Sequence, residues 1–184
     1  MRIITGTTTI GQAYQYSVGQ APFEENDGQV VFEAESFVAQ IGHSDRIWLT
    51  QTVLSGYSGT SYISTGLDIG QIFTDTYVAI SPEVQFKINF TTPGTYRLWL
   101  RGYASDAGGD SVYVRLAGQS DIMTSFAPRT WSWVSSEGGS TPTTFTITEA
   151  GIYTLHLWQR EDGIKIDRVL MTTDESYIPS GNGP

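Results

Sequence analysis

The 184-residue sequence contains no cysteine, few charged residues and no long apolar run. Without cysteine there are no disulfide bonds and no thiolate metal sites, so burial of apolar surface must stabilise the fold, helped by any ion that oxygen ligands bind. A helix that crosses a membrane requires roughly 20 consecutive apolar residues, and no segment approaches that length. The N-terminal stretch MRIITGTTTIGQ lacks the apolar core of a signal peptide. We therefore expect no membrane contact, and we expect the chain to be part of a larger protein.

The charge balance is strongly acidic. Nineteen Asp and Glu residues against ten Lys and Arg residues give a formal net charge of −9 at pH 7. Such a surface repels nucleic-acid phosphates, so nucleic acid is not an expected partner. It suits a divalent cation, because carboxylates that converge on one point need positive charge to offset their repulsion.

The residues that are abundant indicate strands joined by tight turns. The chain has 20 Gly and 7 Pro, and 12% of its residues are aromatic. Alternation of apolar and polar residues predicts antiparallel strands over 30–38, 84–90, 95–103, 111–116, 144–148, 152–159 and 164–171. Segments 91–100 and 148–157 resemble each other, and we interpret them as two similar hairpins, each with an apolar stripe that faces an opposing sheet. The sequence therefore predicts an all-β protein.

The expected domain organisation is one sandwich with short ends. Residues 1–28 are rich in Thr, Gly and Gln, which predicts a linker or the remnant of a preceding module. The β-sandwich is expected over 29–178, followed by a C-terminal tail over 179–184. Between residues 41 and 76 lies a Gly-, Ser- and Thr-rich segment that includes Tyr57. Long ordered loops in compact domains often carry function.

Two glutamates near the start are candidates for a metal site. Glu33 and Glu35 lie two residues apart in a predicted strand, so their side chains should share a face about 7 Å apart along the backbone. Asp167 would join them if the first and last strands are neighbours, and the three carboxylates with backbone carbonyls would make a calcium site. The alternatives are a solvated polar face, or the acid and nucleophile of a glycosidase, although neighbouring positions on one strand rarely surround a scissile bond.

Three motifs in order along the chain resemble a known group of domains. They are VFEAE at 31–35, YRLWLR at 96–101 followed by GDSVYV at 109–114, and REDGIKIDRVL at 160–170. Over residues 29–176 the sequence resembles carbohydrate-binding modules of families 6 and 35, and more closely the C-terminal module of family 115 glycoside hydrolases. The resemblance implies a β-sandwich jelly roll, a structural calcium (Ca²⁺) bound by Glu33, Glu35 and Asp167, and a sugar site in loops at one edge, built around an aromatic residue.

Aromatic residues between two predicted strands are candidates for the sugar site. Trp131 and Trp133 lie in the segment RTWSW, and an exposed indole suits a sugar because the axial C–H groups of a pyranose ring stack on it. Tyr57 is a further candidate. The alternative is that one tryptophan fills the edge of the core while the other is partly exposed.

Charged residues at predicted strand ends are candidates for hydrogen bonds to sugar hydroxyls, since guanidinium and carboxylate groups can each bind two hydroxyls. They are Arg101, Asp110, Arg160, Glu161 and Asp162. The alternative is a network of ion pairs that holds the loops. If two arginines face the ligand, an anionic sugar such as a uronic acid is favoured.

The outward faces of the repeated segments, with Trp99 and Trp158, could line a second site on a sheet. We favour the alternative that these faces are covered by the 41–76 loop, because two exposed indoles would make a large apolar patch. His43 and His156 are too isolated to predict a zinc site.

The sequence has no G-x-S-x-G motif, no P-loop and no convincing pairing of His with a carboxylate. We therefore predict a non-catalytic, monomeric module of a larger extracellular carbohydrate-active enzyme, which binds a polysaccharide or oligosaccharide and raises the local concentration of the enzyme. The alternatives are a small polysaccharide lyase or hydrolase on the same sandwich, and a structural or adhesive module without a sugar site.

Overall fold

A computed structural model describes residues 3–5, 12–17, 20–43, 46–116, 118–119, 122–136 and 141–184. Within these residues the chain forms fifteen strands, one helix, α1 (Tyr77–Ile80), and a 3₁₀ turn at Ala34–Ser36. No helix in this part of the chain is long and apolar enough to cross a membrane. The strands are β1 (Ile3–Thr5), β2 (Gln12–Ser17), β3 (Phe23–Glu24), β4 (Gln29–Glu33), β5 (Ala39–His43), β6 (Leu49–Gln51), β7 (Tyr62–Ser64), β8 (Glu83–Phe90), β9 (Gly94–Tyr103), β10 (Ser111–Leu116), β11 (Ile122–Ser125), β12 (Ser132–Val134), β13 (Thr144–Ile147), β14 (Gly151–Gln159) and β15 (Lys165–Thr172).

The strands form two sheets. The first sheet has the order β1-β2-β5-β8-β14-β10-β11, and β3 pairs with β8. The second has the order β12-β9-β15-β7-β6, with β13 also paired to β9 and β4 to β15. Apart from the parallel pair of β3 and β8, the paired strands are antiparallel. The predicted all-β class with antiparallel sheets is confirmed.

The core lies between the two sheets and follows from the period-two alternation of the strands. Apolar side chains on one face of β8 and β14 meet those on one face of β9 and β15. All have 0–1% of their surface exposed, and they include Phe86, Ile88, Leu155, Leu157, Leu98, Leu100, Val169 and Met171. The opposite face of the second sheet, which we call the outer face, is therefore available to carry polar and aromatic side chains.

The two similar segments are not hairpins, and that prediction was wrong. β8 lies in the first sheet and β9 in the second, and the chain returns from β13 in the second sheet to β14 in the first. In both crossings a tyrosine hydroxyl donates to the carbonyl oxygen four residues earlier, Tyr96 to Thr92 at 2.7 Å and Tyr153 to Glu149 at 2.9 Å. Each segment is thus an arch between the sheets, because its two strands bury their apolar faces against the core from opposite sides.

The predicted strand over 30–38 is also interrupted. β4 pairs with β15 in the second sheet, whereas β5 pairs with β8 in the first. The chain must therefore cross between the sheets, and the 3₁₀ turn at Ala34–Ser36 makes this crossing. Glu33 ends β4 and Glu35 lies in the turn, so the expectation that they share one face of a single strand was wrong.

Residues 1–28 contribute strands to the first sheet, which differs from the linker or remnant that their composition predicts. β2 pairs with β1 and with β5, and β3 lies beside β8. The buried carboxylate of Glu25 accepts backbone N–H groups of Gly28 at 2.5 Å, Thr91 at 2.8 Å and Thr92 at 2.9 Å. These bonds join the segment after β3 to the arch between β8 and β9.

Candidate functional site

The outer face of the second sheet brings together residues from three strands, β9, β12 and β15. Trp133 on β12 lies opposite Arg101 on β9, and Arg101 lies opposite Arg168 on β15. Tyr103 lies opposite Lys165 on the same strand pair. Because opposed residues of an antiparallel pair share a face, these side chains form a continuous surface.

Trp131 stands at the centre of an aromatic cluster on this surface. Its half-buried ring lies 5.5 Å from the ring of Tyr62 and 5.6 Å from that of Tyr103, centroid to centroid. Tyr57 lies 5.5 Å from Tyr62 in the same way. We call Tyr57, Tyr62, Tyr103 and Trp131 the aromatic cluster. Two predicted residues, Tyr57 and Trp131, are therefore brought together.

The loop before Trp131 is held in a strained conformation. Arg129 has φ +63°, in the left-handed region that non-glycine residues rarely adopt. Its backbone N–H donates to the carbonyl oxygen of Ala104 at 2.7 Å. On the other side, the indole Nε1 of Trp131 donates to the carbonyl oxygen of Ser55 at 2.9 Å. The position of Trp131 is therefore fixed by contacts from two separate loops.

Arg101 links this cluster to the strand beneath it. Its side chain is 5% exposed, and its guanidinium carbon lies 5.4 Å from the centroid of the Trp131 ring. Its Nη1 donates to Asp167, and its Nη2 donates to the carbonyl oxygen of Gly56 at 2.9 Å. Arg101 therefore holds the loop that carries Tyr57 as well as facing Trp131.

Sequence reasoning missed Lys165 and Tyr62 as members of the site. The Lys165 Nζ atom lies 5.4 Å from the ring centroid of Tyr103 and donates to Gly163 O at 2.7 Å and Ser105 Oγ at 3.1 Å. Burial lowers the pKa of Lys165 below its usual value. The available signal was alternation, since Lys165 lies between the core residues Ile164 and Ile166.

The three predicted metal ligands meet around the loop that follows Tyr57. The Ser58 N–H donates to Asp167 Oδ1 at 2.9 Å, and the Ser58 hydroxyl donates to Glu33 Oε2 at 2.7 Å. The Thr60 hydroxyl donates to Glu35 Oε1 at 3.3 Å. Asp167 reaches this place because it lies at an irregularity in the pairing of β15 with β9, where it has no partner in the ladder.

Burial and like charge act on these carboxylates. Burial raises the pKa of Asp167 and of Glu35, and the charge of Glu33 raises both further. Glu35 Oε2 is buried without a hydrogen-bond partner. Positive charge is nevertheless present, since Arg101 pairs with Asp167 and the Arg168 Nε lies 3.1 Å from Glu33 Oε1. The latter contact is an ion pair, because that Nε makes no well-aligned hydrogen bond.

The residue types at this place suit Ca²⁺, but their side chains do not form a coordination shell. Carboxylate oxygens are the ligands that Ca²⁺ prefers, and one of them lacks a partner here. Within the described ranges, however, no group of three or more His, Cys, Asp or Glu side chains has a geometry that could hold a metal ion.

The other predicted charged residues form a separate network at the end of the sandwich. Asp162 is fully buried, and its carboxylate accepts the N–H groups of Ile69 at 3.0 Å, Gly70 at 3.2 Å and Gln71 at 3.1 Å. Arg46 Nη1 lies 3.3 Å from Asp162 Oδ2. In this structure Asp162 therefore holds the loop at 69–71, as in the alternative of loop-bracing ion pairs.

Glu161 completes the network with its neighbours. It accepts hydrogen bonds from Arg160 Nη1 at 2.6 Å, the Ser111 hydroxyl at 2.6 Å and the Asp110 N–H at 3.2 Å. Burial and then the adjacent Glu161 raise the pKa of Asp110 to about 6. These contacts join Asp110, Arg160 and Glu161 to one another and to Ser111, so they too correspond to the alternative of loop-bracing ion pairs.

The outward indoles of the two arches are buried, although the residues that contact them, Arg97 and Tyr77, lie outside the 41–76 loop. Trp99 is 7% exposed and Trp158 is 2% exposed. The guanidinium of Arg97 lies 4.3 Å from the centroid of the Trp99 ring, and Tyr77 of α1 packs edge-on against Trp158 at 5.6 Å. Tyr77 follows the 41–76 loop that we expected to cover these faces. His156 pairs with Glu83, Nδ1 to Oε1, at 2.5 Å.

Several solved structures have the same fold, and they are carbohydrate-binding modules or contain one. A β-(1,4)-mannanase with a family 35 module, from Podospora anserina, is 22% identical with a TM-score of 0.58, over 84% of this chain and 29% of that one. The C-terminal family 6 module of a laminarinase from Zobellia galactanivorans is 19% identical with a TM-score of 0.55, over 78% and 98%. At these identities the likeness concerns the fold, which is the β-sandwich of this class of modules.

The family is shown by the sequence. Residues 22–184 match the model of the glycosyl hydrolase family 115 C-terminal domain, so the chain belongs to this family. The resemblance carried by the three motifs is thereby confirmed. A curated relative, the uncharacterized protein P23 of Formosa agariphila, is 26% identical over 204 residues, covering 88% of this chain and 48% of the relative. The chain thus spans about half the length of that relative.

Proposed function

We propose that this domain is a non-catalytic carbohydrate-binding module that holds a polysaccharide or oligosaccharide at the aromatic cluster. The observation that carries the proposal is the half-buried indole of Trp131, fixed by two loops beside Tyr103 and Lys165. The apolar face of a pyranose ring would stack on the indole, and Lys165 would donate to ring hydroxyls.

The rigidity of the cluster supports binding more than its area does. Trp131, Arg101 and the loop at 55–58 are already joined by hydrogen bonds. Little conformational entropy would therefore be lost when a ligand binds. A shallow site of this kind supports dissociation constants in the micromolar range or weaker, which is about −8 kcal/mol or less favourable.

We further propose that Glu33, Glu35 and Asp167 hold a structural Ca²⁺. The ion would supply positive charge to three carboxylates that already share the Ser58–Thr60 region, and it would fix the loop that carries Tyr57. Support comes from the unpartnered Glu35 Oε2 and from the raised pKa of Asp167 and of Glu35, which burial causes first and the charge of Glu33 adds to.

The module would act as a monomeric part of a longer extracellular enzyme. Its family is named for a domain at the C-terminus of glycosyl hydrolases, and the chain spans about half of a curated relative. Attachment to a substrate polymer would raise the local concentration of the linked enzyme.

Hydrolysis by the domain itself is less well supported. Asp110, with its raised pKa, and Glu161 are a carboxyl pair of the kind that acid–base catalysis uses. The two residues are in direct contact, however, since the Asp110 N–H donates to Glu161 Oε2 at 3.2 Å, whereas the carboxyls of glycosidases stand roughly 5 to 10 Å apart to admit the substrate.

The experiment that tests the proposal is calorimetric titration of the protein with soluble oligosaccharides, together with an assay for new reducing ends. The panel comprises β-(1,4)-linked hexasaccharides of glucose, mannose and xylose, a β-(1,3)-linked glucose hexasaccharide and the corresponding uronic-acid oligomers. Saturable binding without release of reducing ends is the expected result. Flat titrations across the panel would favour a structural module, and reproducible release would favour an enzyme.

A further inference from the structure

Residues 180–184 lie across the outer face of the second sheet, against Trp133. The Gly183 N–H donates to the carbonyl oxygen of Ser180 at 2.9 Å, so the segment turns back on itself. Both Gly181 and Gly183 have positive φ, at +55° and +86°. We call residues 180–184 the tail.

Side chains of the sheet hold the tail through its oxygen atoms. Arg101 Nε and Trp133 Nε1 donate to the Gly181 carbonyl oxygen at 3.0 and 3.2 Å. Arg101 Nη2 donates to Asn182 Oδ1 at 2.9 Å. Arg168 Nη1 donates to the carbonyl oxygens of Asn182 at 2.6 Å and Pro184 at 2.8 Å.

The tail is attached in the manner of a ligand rather than of a strand. It belongs to no sheet, and residues 180–184 contribute no buried apolar side chain. The backbone of the tail instead packs directly against the Trp133 indole, since a Cβ added at Gly183 would lie 2.7 Å from Trp133 Cζ2. An aromatic face together with guanidinium donors is the same set of groups that binds the apolar face and the hydroxyls of a pyranose.

This surface adjoins the aromatic cluster. Trp133 lies two residues after Trp131 at the start of an extended segment, so both indoles project from the same face of the second sheet. Arg101 contacts both places, because its guanidinium faces the Trp131 ring and also bonds to the tail. A chain of sugar units bound at Trp131 would therefore extend toward the surface that the tail covers.

We propose that Trp133, Arg101 and Arg168 form a second saccharide subsite beside Trp131, and that residues 180–184 occupy it as an intramolecular ligand. An oligosaccharide long enough to reach both indoles displaces the tail, whereas a disaccharide at Trp131 leaves it in place. The inference rests on the proposed function of the Trp131 site. The tail lowers the affinity for long ligands in proportion to the fraction of molecules in which it is docked.

The test is the variant Gly183→Val, titrated with a disaccharide and with the hexasaccharide of the panel that binds most tightly. A β-branched side chain is strained at φ +86° and would meet Trp133 at its Cβ, so the tail leaves the indole. The dissociation constant of the hexasaccharide should fall about three- to tenfold, with that of the disaccharide unchanged. Gly118→Val is the matched control, because Gly118 has φ +81° and open space around its Cβ.

Release of the tail is measured independently by the NMR signal of the Trp133 indole N–H, assigned with Trp133→Phe. That signal should shift in Gly183→Val, and it should shift in the wild-type protein when the hexasaccharide binds but not when the disaccharide binds. Asn182→Ala removes one acceptor of Arg101, so it should cause a smaller shift of the Trp133 signal and a smaller fall in the dissociation constant of the hexasaccharide. This variant tests the inference if Gly183→Val fails to fold.

An unchanged or weaker affinity for the hexasaccharide in the variants would overturn the inference while leaving the Trp131 site intact. The inference would also be overturned if the Trp133 indole N–H signal of the wild-type protein did not shift when the hexasaccharide saturates the protein. If neither the wild-type protein nor the variants bind any member of the panel, the proposed function fails and the inference fails with it.

Discussion

Two groups of predicted ligand-binding residues lie on the same sandwich, and they differ in burial and in hydrogen bonding. Around Trp131, the rings of Tyr57, Tyr103 and Trp131 and the side chain of Lys165 are half-buried, whereas Tyr62 and Arg101 are buried. Around Asp162, carboxylates are almost fully buried and their oxygens accept backbone N–H groups. Similar residue types at neighbouring strand ends therefore serve different purposes, and the difference depends on which loop each side chain meets.

The largest effect is expected from Asp162→Ala. The change leaves the N–H groups of residues 69–71 and the guanidinium of Arg46 without their buried acceptor, which should lower the free energy of unfolding by about 3 to 5 kcal/mol. Denaturant unfolding measures this loss. Asp162→Asn, which retains one oxygen acceptor, should lose less.

The affinity for oligosaccharide at Trp131 should stay within about twofold in any Asp162 variant that remains folded. Loss of binding with an unchanged free energy of unfolding would instead show that Asp162 contacts the ligand. The two regions would then not differ in purpose.

Removal of calcium is expected to have the next largest effect. A cation that binds the folded state alone stabilises it by about 2.7 kcal/mol at a hundred times its dissociation constant. Exhaustive chelation should therefore lower the melting temperature, and added Ca²⁺ should restore it. Glu35→Gln should reduce this response. A melting curve that is the same before and after chelation would contradict the proposed site.

The smallest effect concerns the pH dependence of stability. The pKa of Asp110 is about 6 in the folded protein against an ordinary value of 3.8, so the folded state binds more protons between these values. Stability attributable to Asp110 is therefore present below about pH 4 and is lost as the pH rises to about 6. Asp110→Asn, whose amide can still donate to Glu161, should remove this slope and stabilise the protein at pH 7 by about 1 kcal/mol, after allowance for solvent screening. If the free energy of unfolding changed with pH in the same way in the wild-type protein and in Asp110→Asn, Asp110 would not be the cause of the slope.

The sequence predicts the strands and the core better than it predicts the connections between them. Alternation identifies β8, β9, β14 and β15, because one face of each is buried. It cannot show that the chain crosses between sheets after Glu33 and again after Phe90, because an arch and a hairpin have the same local pattern. The strand predicted over 30–38 and the two predicted hairpins were wrong for this reason.

The site was predicted in part. Trp131 and Tyr57 carry a recognisable chemistry and lie in loops, and the structure brings them together. The contacts of the tail with Arg101 join residues about 80 positions apart, and no local pattern reports such a contact. Whether Arg160, Glu161 and Asp162 face ligand or brace loops also depends on the distant segments at 46 and 69–71, which periodicity does not locate.

The most direct test of the central claim is titration of Trp131→Ala with the hexasaccharide that binds the wild-type protein most tightly. The affinity should fall at least about tenfold, or 1.4 kcal/mol, while the melting temperature falls by less than about 5 °C. Ile152→Ala, which truncates a side chain that is 61% exposed on β14, is the control and should bind as the wild-type protein does. Unchanged affinity in Trp131→Ala would contradict the account.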